Sequence, residues 1–249
     1  MCATCGCGHP EEAPHRHAEG ERVRLEVDVL AHNQAHAGAN RRFFREQGIT
    51  AFELLSAPGS GKTTLLERTV GRLASLGVPP AVLVGDQRTE RDAERLRQAG
   101  AVARQIVTGS VCHLDAHMVA HALEGLDPLP RVLFIENVGN LICPALFDLG
   151  GNARVVLYSV TEGEDKPYKY ADMFQAADLV LITKTDLLPY LELDLPRLIA
   201  AVTAVNPAAR ILPVSARSGA GMEAWLTWLW RRMEAGAAAG AAAEPALGS

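Results

Sequence analysis

One octapeptide narrows the choice of folds more than anything else in this chain: Ser56-Ala57-Pro58-Gly59-Ser60-Gly61-Lys62-Thr63. It follows the apolar run Phe52–Leu55 and opens a stretch of helical periodicity. A Gly-x-Gly-Lys-Thr turn between strand and helix curls consecutive backbone N–H groups around phosphate oxygens, and the helix N-terminus adds positive potential. Lys62 is placed to reach the β- and γ-phosphates and Thr63 to ligate Mg²⁺. Pro58, Gly59, Ser60, Gly61 and Thr64 complete the candidate cradle. Ser56 stands where the usual pattern has its first glycine. The bland reading, a glycine-rich turn with no ligand, leaves the Lys-Thr pair directly after Gly61 without a reason.

The rest of the chain alternates in the same manner. Strand-like runs at Phe52–Leu55, Ala81–Val84, Ala101–Val107, Val132–Ile135, Val155–Val160, Leu179–Ile182 and Ile211–Val214 are separated by helical runs. Short, apolar strands of this kind are expected to be buried on both faces. That predicts an α/β fold, a mostly parallel sheet flanked by helices, of the P-loop NTPase type. Before it, residues 22–47 carry a helical stripe of Val23, Val27, Leu30, Ala37 and Phe44, closed by Gly48. The 249 residues therefore divide into a polar, Cys/His-containing segment, 1–21, expected to be flexible; a nucleotide-binding domain with an N-terminal helix, 22–234; and an Ala/Gly-rich tail, 235–249, expected to lack fixed structure. A net charge of -5 offers no basic field, so no nucleic-acid partner is expected. No apolar run reaches the roughly 18 residues of a membrane span. The N-terminus has neither the basic nor the apolar region of a signal peptide, so Cys2 is not expected to be a lipid acceptor. A cytoplasmic location follows, where cysteines serve as metal ligands more often than as disulfides.

Thr183-Lys184-Thr185-Asp186 follows an apolar strand and matches the guanine-reading Asn-Lys-x-Asp pattern, except that threonine replaces asparagine. The Asp186 carboxylate can accept from guanine N1–H and its 2-amino group, donors that adenine lacks. The Lys184 stem can cover the base. Ser215-Ala216-Arg217, after the last strand, looks like the loop that supports the same base through backbone N–H. Together they point to GTP and GDP; the alternative for Thr183–Asp186 is an ordinary helix cap. Glu136 ends an apolar strand as a Walker B acid does, and Gly139 lies where a γ-phosphate-sensing glycine belongs. Asp86, ending another strand, is a second candidate for the Mg²⁺ shell; a helix N-cap is its alternative reading. Lys62, Thr63, Asp86 and Glu136 are thus the candidate catalytic set.

Two thiols and an imidazole fall near this switch. Cys112-His113 opens a helical run, and Cys143-Pro144 follows Glu136 within the switch itself. Such a set suits Zn²⁺, Ni²⁺ or Cu; the alternative is a pair of buried, inert cysteines. If Cys143 moves when the γ-phosphate is lost, hydrolysis changes the ligand set. His117 and His121 continue the spacing from His113 and read more simply as a packed or solvated helix face. At the N-terminus, Cys2-x-x-Cys5-Gly6-Cys7 clusters three thiols. With the α-amine freed by loss of Met1, they make a four-coordinate N/S set for square-planar Ni²⁺ or, in a tetrahedral arrangement, Zn²⁺. His9, His15 and His17 lie in the same polar segment.

These elements together resemble the HypB family of hydrogenase nickel incorporation GTPases. The likeness runs over Cys2–Gly8, Pro58–Thr64, Gly109–Ala122, Phe134–Leu149, Thr161–Asp165 and Thr183–Pro189, and Glu-Asn-Val-Gly-Asn-Leu-Ile-Cys-Pro is its most specific stretch. The resemblance implies a SIMIBI-class GTPase, related to nitrogenase iron-protein-like and signal-recognition GTPases. It implies GTP-dependent dimerisation, with metal held by Cys112, His113 and Cys143 near the subunit interface and a high-affinity nickel site at Cys2, Cys5 and Cys7. It also implies two partners, the HypA metallochaperone and the hydrogenase large-subunit precursor. Many relatives carry a long His-rich stretch for nickel storage, which this chain lacks. The related urease nickel GTPases typically pair metal through Cys-Pro-His, unlike the separated Cys112-His113 and Cys143-Pro144 here. A metal-storage module and an ATP-dependent relative are the remaining alternatives.

Overall fold

The computed structural model describes residues 15–86, 90–109 and 111–241, with side chains placed between 27 and 236. Cys2, Cys5, Cys7 and His9 lie outside the described residues. The side chains of His15 and His17 do so too. Seven strands, β1 (Thr50–Ser56), β2 (Ala81–Asp86), β3 (Val102–Val107), β4 (Val132–Glu136), β5 (Ala153–Ser159), β6 (Leu179–Thr183) and β7 (Arg210–Pro213), form one sheet in the order β3-β2-β4-β1-β5-β6-β7. Every pairing is parallel. Each strand overlaps a run expected from the sequence, but burial on both faces holds only for the inner ones. β1, β4 and β6 are buried at every position, whereas β3 and β7 alternate or stay half-exposed. The reason is position: β3 and β7 are the edges of the sheet.

The principal helices are α1 (His15–Glu46), α2 (Lys62–Ser75), α3 (Arg91–Gln98), α4 (Ala116–Leu123), α5 (Cys143–Leu146), α6 (Lys166–Lys169), α7 (Ala171–Gln175), α8 (Leu195–Val205) and α9 (Met222–Ala241). α2 and α9 cover one region of the sheet, where Phe52 meets Phe134, and Trp228 stacks with Trp225. α4 and the end of α1 cover another, through Phe44, Leu114 and Val119. α7 and α8 cover the β5–β6 side through Phe174, Leu198 and Val202.

Two boundaries depart from the sequence reading. α1 begins at His15, inside the segment expected to be flexible. α9 runs on to Ala241, into the tail expected to lack structure, as suits alanine, the strongest helix former. The buried stripe of α1 keeps Ala37 and Phe44 of the expected set, leaves Val27 59% exposed, and adds Asn33 and Asn40. Among the residues of α1 with described side chains, docking runs from Asn33 to Phe44. Asn33 Nδ2 donates to the Asp148 carbonyl at 2.8 Å, and Asn40 Nδ2 donates to the Ala116 and Leu149 carbonyls at 2.8 and 3.0 Å. Asn33 Oδ1 accepts from Ala116 N–H, so the two asparagines rivet α1 to the start of α4 and to the 148–149 turn. Gly48, at φ 65°, ends the α1 segment as expected, and Ile49 N–H returns to the Phe44 carbonyl.

Candidate functional site: a phosphate cradle beside a thiol–imidazole cluster

The sheet brings the candidate residues to one edge. Register places Leu54 opposite Glu136, Val84 opposite Glu136, and Ser159 opposite Thr183. The carboxyl ends of β1, β2, β4, β5 and β6 therefore open on a common crevice, where parallel α/β sheets bind ligands. Pro58, Gly59, Ser60, Gly61, Lys62, Thr63 and Thr64 line a cleft of about 510 Å³ together with Asp86, Glu136, Gly139 and Lys184. Gly61 sits at φ 97°, a left-handed conformation that side-chain-bearing residues resist. Lys62 Nζ donates to Ser56 Oγ at 2.6 Å, so the serine in place of the usual glycine holds the lysine at the cradle floor. Burial lowers the Lys62 pKa, opposed by Glu136 nearby.

Thr63 Oγ1 donates to Glu136 Oε1 at 2.9 Å. The other carboxylate oxygen, Glu136 Oε2, is buried without a partner. Burial pushes the Glu136 carboxyl up to about 7, against the pull of Lys62. A buried carboxylate oxygen with no donor, a threonine hydroxyl and a second acid, Asp86, in the same cleft form an all-oxygen set that fits Mg²⁺. Gly139 packs against the cradle so closely that an added Cβ would lie 3.0 Å from Pro58 Cα. The backbone of the Glu136–Cys143 segment is thus in contact with the phosphate loop.

The adjoining pocket, about 220 Å³, is lined by Gly61, Thr64, Leu65, Thr183, Lys184, Asp186, Leu187, Ala216 and Arg217. Asp186 is oriented by Ser215, whose hydroxyl donates to Asp186 Oδ1 at 2.6 Å. Ser215 N–H is engaged by the Ala220 carbonyl, so in this loop the serine acts through its side chain. Thr183 Oγ1 donates to the Ser60 carbonyl at 2.7 Å and ties the base loop to the phosphate loop. Lys184 takes a left-handed conformation, φ 58°, that lays its stem beside Gly61.

On the far side of Gly139 lies the thiol cluster. One ligand atom each from Cys112, His113 and Cys143 lies within 4.8 Å of the others. Cys112 Sγ and Cys143 Sγ are 3.1 Å apart. Cys112-His113 sits in a bend ahead of α4 rather than opening it; the helix starts at Ala116, capped by Asp115. Burial pushes His113 below its usual range, and its Nδ1 has no partner. The neighbouring Cys112 sulfur, with burial second, holds the Cys143 thiol above its usual range. Two crowded sulfurs and an unpartnered imidazole nitrogen lack a positive charge at their centre, which a borderline cation supplies.

Sequence reasoning missed the residues that join these parts. Asn137 Oδ1 accepts from Leu114 N–H at 3.0 Å, and Asn140 Nδ2 donates to the Cys112 carbonyl at 3.4 Å, linking the switch to the Cys112 segment. Glu162 Oε1 accepts from Ser60 Oγ at 2.7 Å. Arg95, on the cleft wall, is clamped by Glu67 at 2.7 and 2.9 Å and reaches Thr64 Oγ1 at 3.4 Å. The signal for the asparagines was present, since both lie in the most distinctive stretch of the chain, but polar residues in a loop have no periodicity to read.

The fold and cleft define a class: a P-loop nucleotide-binding protein with a seven-stranded parallel sheet. Residues 51–213 match the family model described as CobW/HypB/UreG, nucleotide-binding domain. The hydrogenase maturation factor HypB of Rhizobium leguminosarum bv. viciae is 55% identical over 208 residues, 83% of this chain and 69% of that one. Among solved structures, HypB from Archaeoglobus fulgidus superposes with a TM-score of 0.76 at 42% identity, covering 82% of this chain and 99% of that one. HypB from Helicobacter pylori in complex with nickel gives 0.77 at 35%, over 82% and 95%. The chain belongs to the HypB family of hydrogenase maturation factors.

Proposed function

We propose that this protein is a GTP-hydrolysing nickel metallochaperone that inserts nickel into the [NiFe]-hydrogenase large-subunit precursor. The observation that carries this reading is one loop with two contacts: Gly139 abuts the phosphate cradle, and Cys143 of the same segment shares the thiol–imidazole cluster. The nucleotide pocket selects guanine through Asp186, held by Ser215. The cradle amides and Lys62 neutralise phosphate charge, and water attacks the γ-phosphate in line. Mg²⁺, when held by Thr63 with Glu136 and Asp86 in its shell, supplies further charge neutralisation. Turnover is slow, on the order of 10⁻⁴–10⁻² s⁻¹, as for unassisted GTPases, which suits a timer.

Nickel is the cargo, held by Cys112, His113 and Cys143, a set that also accepts Zn²⁺; Cys2, Cys5 and Cys7 form a second, high-affinity nickel site. GTP-bound chains dimerise near the internal cluster, and the HypA metallochaperone and the hydrogenase precursor are the partners. The setting is the cytoplasm; no helix among the described residues is long and apolar enough to cross a membrane. The resemblance to a HypB solved with nickel supports the cargo. The test is metal counting on single variants. Cys112→Ala and Cys143→Ala should each weaken nickel and zinc binding at the internal site while GTP affinity stays close to that of the unaltered chain. If both variants bind the metals as the unaltered chain does, the internal site is misassigned.

A further inference from the structure

We propose that His32, His36 and His117 form a separate divalent-metal site on the surface between α1 and α4, taking a borderline ion such as Ni²⁺ or Zn²⁺ through imidazole nitrogens. His32 and His36 are four residues apart on α1 and so share one face, the spacing at which paired helix histidines grip a single ion. α4 sets His117 against His36 from the opposite side. The His32 and His36 ring centres are 4.6 Å apart, and those of His36 and His117 are 5.0 Å apart. Two imidazoles on one ion, at metal–nitrogen bonds of about 2.0–2.1 Å, have ring centres roughly 4.5–5.2 Å apart for bond angles from square to tetrahedral. Both separations fall in that interval. His32 is exposed and His36 half-buried, so the rings can turn toward a common ion without unpacking the core.

The three rings border a cleft of about 330 Å³ that Asp28 and Asp115 also line. Asp115 Oδ1 caps α4 by accepting from Met118 N–H, and Asp28 is the other carboxylate on the cleft wall. Imidazole donors suit Ni²⁺, Zn²⁺ and Cu²⁺, whereas the lack of sulfur makes the site weaker than a thiolate centre for soft ions. Phe147 closes the cleft, and its ring centre lies 4.0 Å from that of His113. One aromatic ring therefore separates this site from the Cys112–His113–Cys143 cluster. His121 touches His117 at a ring distance of 4.8 Å but lies near Glu124, 3.4 Å away, and does not line the cleft.

The site stands without reference to the nucleotide cycle, and its test is independent of it. In the full chain carrying Cys2, Cys5, Cys7, Cys112 and Cys143 as serine and His9, His15 and His17 as alanine, equilibrium dialysis should count one bound Ni²⁺ with no thiolate-to-nickel absorption. Adding His32→Ala, His36→Ala or His117→Ala should remove that ion, with circular dichroism and GDP affinity unchanged relative to the same background. In the chain with all cysteines intact, His36→Ala should lower the nickel count by one ion and leave the thiolate-to-nickel band as it was. No ion in the thiolate-free chain, an unchanged count in either His36→Ala variant, or a loss that follows His121→Ala but not His32→Ala would overturn the proposal.

Discussion

Thr183 occupies the position where the guanine-reading pattern usually carries asparagine, and its hydroxyl reaches the Ser60 carbonyl at 2.7 Å. A shorter side chain thus makes the link between base loop and phosphate loop. Thr183→Ala should remove one buried hydrogen bond and weaken GDP binding roughly 2- to 12-fold, about 0.5–1.5 kcal/mol. Isothermal titration of the two proteins checks it; equal affinities would show that the link does not hold the pocket. Ser56 is a parallel case, a departure from the glycine pattern that supplies an acceptor for Lys62. At this scale the sequence made the short pieces legible, Gly59–Thr63, Thr183–Asp186 and Cys112-His113, because each is spaced by local chemistry. It did not reveal the contacts that join them. Asn137, Asn140 and Glu162 act across distant segments, and nothing in a linear pattern says which backbone group a loop asparagine will meet.

At the scale of elements, α1 is the instructive one. Its apolar spacing points to a stripe through Val27, Ala37 and Phe44; the last two do bury, but Val27 does not, and docking rests as much on Asn33 and Asn40. Asparagine does not register as core in a hydrophobic pattern, although its amide satisfies buried carbonyls that no apolar side chain could. Asn40→Ala should remove two buried hydrogen bonds, to the Ala116 and Leu149 carbonyls, at a cost of about 1–3 kcal/mol. Each kcal/mol lowers the thermal midpoint by about 2–4 °C in a chain of this size, so calorimetry should show a drop of several degrees. An unchanged midpoint would mean that the Asn40 bonds do not help to hold α1 in place. The seven strands were legible for the opposite reason: buried parallel strands are short apolar runs. β3 and β7 carried less of that signal because an edge strand need bury only part of itself.

At the scale of the molecule, the sheet puts three chemistries along one edge. The cradle follows β1, the acid that faces it ends β4, and the thiol of Cys143 lies a few residues beyond, with Gly139 between. Asn137 and Asn140 carry the connection on to Leu114 and Cys112. A change at the phosphate end of this segment therefore has a short path of backbone and hydrogen bonds to the sulfur end. The proposed delivery cycle is that path used in one direction, with triphosphate and diphosphate favouring different ligand geometries. The most direct test is a nickel titration of the full chain followed by thiolate-to-nickel absorption, in GDP and in a non-hydrolysable GTP analogue, with mass measured alongside. The account predicts that the triphosphate analogue produces dimers and shifts the absorption or apparent affinity of the Cys112–His113–Cys143 centre. Superimposable titrations and the same mass with both nucleotides would contradict it.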